Sequence, residues 1–225
     1  MLTLFRSSFS SNPWVSRIIE HTGGYEREDV AKFHKDTSGG ARIQRAGHEQ
    51  PPENRIWFEM HSLYNDSLIA QMPVEAFTSA FQAAFVKELF TSSEWTEVQI
   101  LGFLRRHMFN AATIATFGPR ILETNPGFVD VFWEYEKYAE GLSFGLPSFL
   151  NTRARQARDR FNAQCGKWFE MADREFDWQG GDVSPDEEFE PVFGSRLSRR
   201  LAQWGKSFRF SRKTMGGVYG LIFFG

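Results

Sequence analysis

The side chains that could carry out chemistry are few in this sequence, and they are scattered. There is one cysteine, Cys165, and there are five histidines: His21, His34, His48, His61 and His107. No two histidines have the i, i+4 spacing that places two metal ligands on one face of a helix. The sequence also has no paired-cysteine zinc motif, no glycine-rich phosphate loop and no Gly-x-Ser-x-Gly turn. Spacing alone therefore predicts no catalytic centre and no metal site.

The sequence around Cys165 favours a packing role for this thiol. Cys165 lies at helical spacing from Phe161, Trp168 and Phe169. A cysteine in such an apolar pattern is typical of a buried, inert thiol. A single cysteine also excludes an internal disulfide framework.

The elements that must position these residues are predicted to be helices along almost the whole chain. Apolar residues recur every three or four positions, and Gly118-Pro119 and Asn125-Pro126 mark helix boundaries. The predicted helices cover about residues 26–35, 54–68, 73–89, 95–117, 128–138, 148–176 and 195–208. Residues 1–53 are the least regular part, and no segment has a convincing strand pattern. The predicted fold class is mainly α.

The composition restricts the classes of partner. The chain has 225 residues, 41% apolar and 24% charged, with a net charge of −2, which gives no electrostatic argument for nucleic acid or an anionic membrane surface. No apolar run reaches the ~20 residues of a membrane span, and the N-terminus lacks the apolar core of a secretory signal. The 24 phenylalanines and 7 tryptophans indicate a thick aromatic core or, as the second interpretation, a large apolar cavity.

Two segments stand out by their charge. The predicted helix over 148–176 carries a basic face, which we interpret as solvated, with phosphate contact as the alternative. The segment 177–190 has six acidic residues and no basic one, together with Gly180-Gly181 and Pro185, so we predict a surface loop there.

The last residues form an apolar stretch that is interrupted by glycines. From Lys213 to Gly225 no polar residue follows Tyr219, and there is no capping residue or basic last turn. This pattern is that of a buried helix that stops in mid-element. We therefore expect a truncated domain.

Several segments, taken in order, resemble the middle of a cytochrome P450, a haem-thiolate monooxygenase, of the fungal microsomal type related to sterol 7-hydroxylases. Asn54–His61 resembles the C-helix segment with its Trp-x-x-x-Arg motif, and 113–118 resembles the helix that closes with Phe-Gly. The Gly-Leu-Pro of 141–147 and the alanine/arginine pairs of 154–158 resemble the F-helix region. Phe193–Gly225 resembles the approach to the long I-helix. The resemblance implies one partial P450 domain over residues 1–225, from the B-region to the start of the I-helix.

This resemblance implies a function and a cofactor. The family uses haem, O₂ and electrons from a flavoprotein reductase to hydroxylate an apolar substrate, here one that could be a steroid or terpenoid. The implied location is the cytoplasm or the surface of the endoplasmic reticulum. Trp57 and His61 become candidates for contact with a haem propionate, with His61 standing where the family has arginine. The implied substrate-pocket residues are Phe144, Leu146, Gly217, Tyr219 and Gly220.

The sequence departs from the family pattern where the chemistry is done. It contains neither the Phe-x-x-Gly-x-x-x-Cys-x-Gly loop that supplies the haem thiolate nor the Glu-x-x-Arg pair, and Cys165 has none of that context. We therefore expect a P450 fragment that is inactive alone. Three alternatives stay open: one part of a working monooxygenase, a non-enzymatic helical binding or scaffold module derived from a P450, and an unrelated helical bundle.

Overall fold

The computed structural model describes residues 12–69, 71–89, 97–145, 149–179 and 189–224. Within these ranges the chain forms ten α-helices: α1 (Asn12–Arg17), α2 (Arg27–Lys35), α3 (Ile56–Tyr64), α4 (Gln71–Leu89), α5 (Ile100–Phe117), α6 (Arg120–Thr124), α7 (Phe128–Ser143), α8 (Thr152–Glu175), α9 (Arg196–Ser207) and α10 (Arg212–Leu221). Two π-helical turns, Ile18–Thr22 and Asn65–Ile69, and two 3₁₀ turns, Pro52–Asn54 and Ile222–Phe224, join or extend them. The mainly α prediction is confirmed.

A short hairpin was missed by the sequence pattern. Strands β1 (Phe189–Glu190) and β2 (Gly194–Ser195) pair antiparallel, with Phe189 opposite Ser195. Two residues per strand are too few to show the alternation by which a strand is recognised. Gly194 has φ +76°, and a Cβ there would collide with the backbone of Gly118, so the hairpin needs glycine to pack on the end of α5.

The Glu190 carboxylate closes the turn of this hairpin. It accepts hydrogen bonds from the backbone N–H groups of Val192 at 2.7 Å and Phe193 at 2.5 Å. Arg199 of α9 lies 3.7 Å away, and both charged side chains are buried. The last acidic residue of the 177–190 segment is therefore structural. Residues 180–188 of the predicted surface loop lie outside the described residues.

The core lies where α8 packs between α7 and α10, and it is aromatic, as the composition indicated. Trp168 of α8 meets Tyr219 of α10 edge to face, with ring centroids 5.0 Å apart. The ring of Phe117, at the end of α5, contacts Trp168 at 5.3 Å. A Cβ on Gly216 would collide with the carbonyl oxygen of Asn162, so glycine allows α10 to approach α8 closely. The glycines of the C-terminal stretch therefore serve helix packing.

The basic face of α8 is largely engaged within the chain. Arg158 is buried and donates to the carboxylate of Asp159 and the carbonyl of His21. Arg160 pairs with Glu134 of α7 at 2.6 Å, and Lys167 donates to the carbonyl of Thr124. The interpretation as a merely solvated face was therefore wrong for Arg158, whose side chain is buried and hydrogen-bonded within the chain.

Several predicted helix boundaries shift by a few residues. The predicted helix over 54–68 is α3 followed by a π-helical turn, and its N-cap is Arg55 in place of Asn54. Helix α5 begins at Ile100, whereas the predicted start near residue 95 lies outside the described residues. Within the described ranges, no helix combines the length and hydropathy needed to cross a bilayer.

Candidate functional site

A large apolar cavity lies between α4, α5 and the end of α10. Its volume is about 940 Å³. Most of its lining is aliphatic or aromatic. The lining residues are Tyr64, Ser67, Leu68, Pro73, Val74, Ala76, Phe77, Phe81, Leu101, Leu104, Arg105, Met108, Phe109, Ala112, Ala115, Thr116, Phe117, Phe132, Trp133, Phe189, Ser195, Arg196, Leu197, Leu221, Ile222 and Phe223.

Helical spacing builds the two long walls of this cavity. On α5, side chains three and four residues apart, such as Leu104 and Met108, fall on one face. On α4, the rings of Phe77 and Phe81 stack with centroids 6.1 Å apart. The mouth is open, since Phe77 is 41% and Met108 is 48% exposed. The Phe223 ring closes the inner end and contacts Phe109 at 5.3 Å.

The cavity wall contains few polar groups, and its described charged side chains are both arginines. The Arg105 guanidinium lies 4.1 Å from the centroid of the Trp133 ring, and Arg196 also contributes to the wall. The described lining residues include no aspartate or glutamate. Burial raises the pKa of the Tyr64 hydroxyl to about 12, so it stays neutral at ordinary pH. Ser195 is the N-cap of α9, yet its hydroxyl makes no capping hydrogen bond.

The two residues predicted for propionate contact lie apart from this cavity wall. Trp57 is buried in α3, and its indole N–H donates to the carbonyl of Phe33 at 2.9 Å. His61, one turn later, is exposed, and its ring lies against Gly40. Neither residue is among the described lining residues. The indole N–H of Trp57 thus already has a partner within the chain. No described contact tests the propionate assignment, which stays a prediction.

The predicted substrate-pocket residues that have a described position are also separate from the cavity. Phe144 is exposed at the end of α7, and Leu146 lies outside the described residues. Gly217, Tyr219 and Gly220 are buried in α10, and the Tyr219 hydroxyl donates to the carbonyl of Ser198 at 3.0 Å. Burial raises the pKa of this hydroxyl well above its ordinary value. None of the four residues with a described position lines the cavity, so their substrate role stays a prediction.

Comparison with known proteins identifies the relatives of this chain. Cytochrome P450 monooxygenase calL from Penicillium decumbens is 33% identical over 221 residues, which is 97% of this chain and 41% of calL. The chain belongs to the cytochrome P450 family. Cytochrome P450 monooxygenase fsoE from Humicola fuscoatra is 27% identical over 68% of the chain and 27% of its own length. Cytochrome P450 monooxygenase efuG from Hormonema carpetanum is 31% identical over 47% of the chain and 19% of its own length.

These comparisons settle one alternative. The interpretation as an unrelated helical bundle was wrong, because a P450 aligns with nearly the whole chain. The chain spans about two fifths of the length of calL. No protein-family model matches it, and no solved structure does.

The described residues of this P450 chain do not fit a haem-thiolate centre. A P450 thiolate must be an ionised cysteine that can reach the iron. Cys165 is buried in the middle of α8, and burial raises the pKa of its thiol far above the ordinary value. Within the part of the chain that the structure describes, no group of three or more His, Cys, Asp or Glu side chains could hold a metal ion.

Sequence reasoning missed the cavity because it assigned its walls to the core. Phe77, Leu104 and Met108 show the helical periodicity of buried faces, and periodicity cannot tell a face that meets a neighbour from one that meets a void. The available signal was the number of aromatic residues, for which a cavity was the second interpretation. In this P450 chain the aromatic residues form both a core and a cavity wall.

Proposed function

We propose that this P450 chain is part of a haem-thiolate monooxygenase that hydroxylates an apolar substrate, in the steroid or terpenoid class, with O₂ and electrons from a flavoprotein reductase. The chain would form one partial domain over residues 1–225 and act in the cytoplasm or at the surface of the endoplasmic reticulum. The observation that carries the proposal is the alignment of 97% of the chain with a P450 monooxygenase. Trp57 and His61 are kept as candidates for propionate contact.

We further propose that the 225-residue chain has no monooxygenase activity by itself. Haem, when bound through a thiolate, supplies the electron donation that helps O–O bond cleavage in this family. The thiol present here is buried within α8, and burial raises its pKa. Exposing and ionising it would require α8 to separate from its neighbours, at a cost in core packing.

A spectroscopic experiment tests this second statement. The purified 225-residue chain is mixed with haemin, reduced and exposed to carbon monoxide, with full-length calL treated in the same way as the control. We expect the thiolate-type Soret shift for calL and its absence for the chain. A thiolate-type shift in the chain would overturn the inactivity proposal, and a Cys165→Ser variant would then show whether Cys165 is the ligand.

A second candidate function is a non-enzymatic binding module derived from a P450. The specific observation in its favour is the open apolar cavity of about 940 Å³, since ligand sites in proteins occupy roughly 300–1,000 Å³. A functional module must be a stable monomer in spite of its exposed apolar wall. Sedimentation and thermal melting of the purified chain test this. A monodisperse, cooperatively melting monomer supports the module, and aggregation contradicts it.

A further inference from the structure

Arg105 differs from its neighbour Arg106 in what it contacts. Arg106 points to the surface and pairs with Asp130 of α7 at 3.5 Å. Arg105 lines the cavity and lies over the Trp133 ring, and among the described residues it has no carboxylate partner. Stacking on an aromatic face fixes the plane of a guanidinium and leaves its N–H edges available as donors.

The charge of the cavity wall is unbalanced around this arginine. Apart from Arg105, the described lining is largely aliphatic and aromatic and contains no acidic side chain, and the other lining arginine, Arg196, already has an interaction partner. A cation at the edge of an apolar cavity favours a ligand with an apolar body and one anionic group. Arg105 is exposed to solvent, so an uncharged apolar ligand would gain nothing from its charge, and a cationic one would be repelled.

We propose that this cavity binds an amphipathic carboxylic acid, whose apolar body lies between α4 and α5 and whose carboxylate pairs with Arg105. The inference rests on the second candidate function and names its ligand class. The planar guanidinium can donate two parallel hydrogen bonds to one carboxylate. The apolar body would cover the exposed parts of wall residues such as Leu101, Met108 and Phe77, and their removal from water would favour binding.

The test compares dodecanoic acid with methyl dodecanoate, which has the same apolar chain and no charge. Binding of each probe to the 225-residue chain is measured by titration calorimetry below the concentration at which the acid forms micelles. We expect the acid to bind about fivefold more tightly than the ester, as for a solvent-accessible ion pair. The preference should fall in about 0.5 M sodium chloride because salt screens such a pair.

Two variants at adjacent positions of α5 test whether Arg105 causes the preference for the acid over the ester. Arg105→Gln should abolish the preference for the acid, whereas Arg106→Gln should leave it unchanged, because Arg106 pairs with Asp130 at the surface. Arg105→Lys keeps the charge and should retain part of the preference, which covers the case in which the Gln variant fails to fold. Far-ultraviolet circular dichroism and a thermal melt of each variant check folding.

Each other outcome overturns a defined part of the proposal. Equal binding of acid and ester by the wild-type chain, or a preference that survives in Arg105→Gln, contradicts the ligand class and leaves the binding module standing. Binding of neither probe contradicts both. A chain that sediments as a dimer and rejects the acid would show that a second copy covers the cavity. The carbon monoxide experiment is independent of all these results.

Discussion

The Asp29 carboxylate accepts a hydrogen bond from the backbone N–H of Ser211 at 2.9 Å and thereby ties α2 to the start of α10. A second hydrogen bond joins the same two helix ends, from the backbone N–H of Glu26 to the Thr214 hydroxyl at 3.0 Å. Lys32 extends the network, since its ammonium group contacts Asp29 at 2.5 Å and the carbonyls of Phe208 and Arg209. Residues almost 190 positions apart are therefore joined at the N-termini of two helices.

Replacing Asp29 with Asn should lower the free energy of unfolding by about 1–3 kcal/mol at pH 7, because a buried charged acceptor is lost. Burial raises the pKa of Asp29, but hydrogen bonds from Lys32, Thr214 and the N–H of Ser211 outweigh it, so the pKa lies below 3.8. A lowered carboxyl pKa stabilises the fold above pH 3.8 and loses this effect as the pH falls through the folded-state pKa. Urea unfolding at several pH values measures the loss of stability in Asp29→Asn and the pH dependence of that loss.

The exposed neighbour Glu28 provides the control for this variant. Glu28→Gln should change the free energy of unfolding by less than about 0.5 kcal/mol. The difference between wild type and Asp29→Asn should shrink at acid pH. A difference that is constant from pH 7 down to pH 2 would show that the carboxylate charge does not stabilise this contact.

Gly216→Ala should destabilise the chain by about 2 kcal/mol or more, because the new methyl group would collide with the carbonyl oxygen of Asn162 and force α10 away from α8. Gly102→Ala is the matched control. Gly102 lies in α5 with no atom near the place of a Cβ, so alanine there should stabilise the helix by about 0.4–1 kcal/mol. Thermal melts of both variants give the comparison. Equal effects in the two helices would contradict the close approach of α8 and α10.

The thiol of Cys165 should be unreactive in the folded chain. It is fully buried and its pKa is raised by burial, so both access and ionisation are suppressed. Ellman's reagent at pH 8 should label Cys165 only after urea unfolds the chain, and the rate at low urea should follow the population of open molecules. Rapid labelling of the native chain would contradict the packing of α8 described above.

The helices were predictable because each has an apolar face with a clear period. Helix α8 shows this best: the pattern over 148–176 gives a helix whose ends differ from Thr152–Glu175 by a few residues, with Cys165 buried as expected. The predicted start of α3 at Asn54 failed because Asn54 lies in a 3₁₀ turn, and Arg55 precedes the helix. Terminal residues depend on local backbone geometry that periodicity does not encode.

The site was harder to predict because it depends on contacts between distant elements. The β1–β2 hairpin, which contributes Phe189 and Ser195 to the cavity wall, is an example. Its turn is held by hydrogen bonds to the Glu190 carboxylate, and its Gly194 packs closely against the backbone of Gly118. Neither contact follows from local sequence. The cavity depends on the relative placement of α4, α5 and α10, which no single helical pattern contains. Helical periodicity predicted the mainly α class, and the resemblance added the family, but its residue assignments concern a haem site for which the described residues provide no thiolate.

Trp57→Phe should lower the free energy of unfolding by about 1–3 kcal/mol, because the carbonyl of Phe33 loses the indole N–H that lies 2.9 Å away. This carbonyl is in the last turn of α2, where helical carbonyls lack partners of their own, and the smaller ring leaves the packing against Phe33 looser. Trp14→Phe is the control, since Trp14 is 48% exposed, and it should change stability by less than about 0.5 kcal/mol. Urea unfolding of the wild type, Trp57→Phe and Trp14→Phe measures these free energies of unfolding. If Trp57→Phe is as stable as wild type, while a longer P450 carrying the same change retains less haem, then Trp57 acts at the propionate and not as a cap of α2.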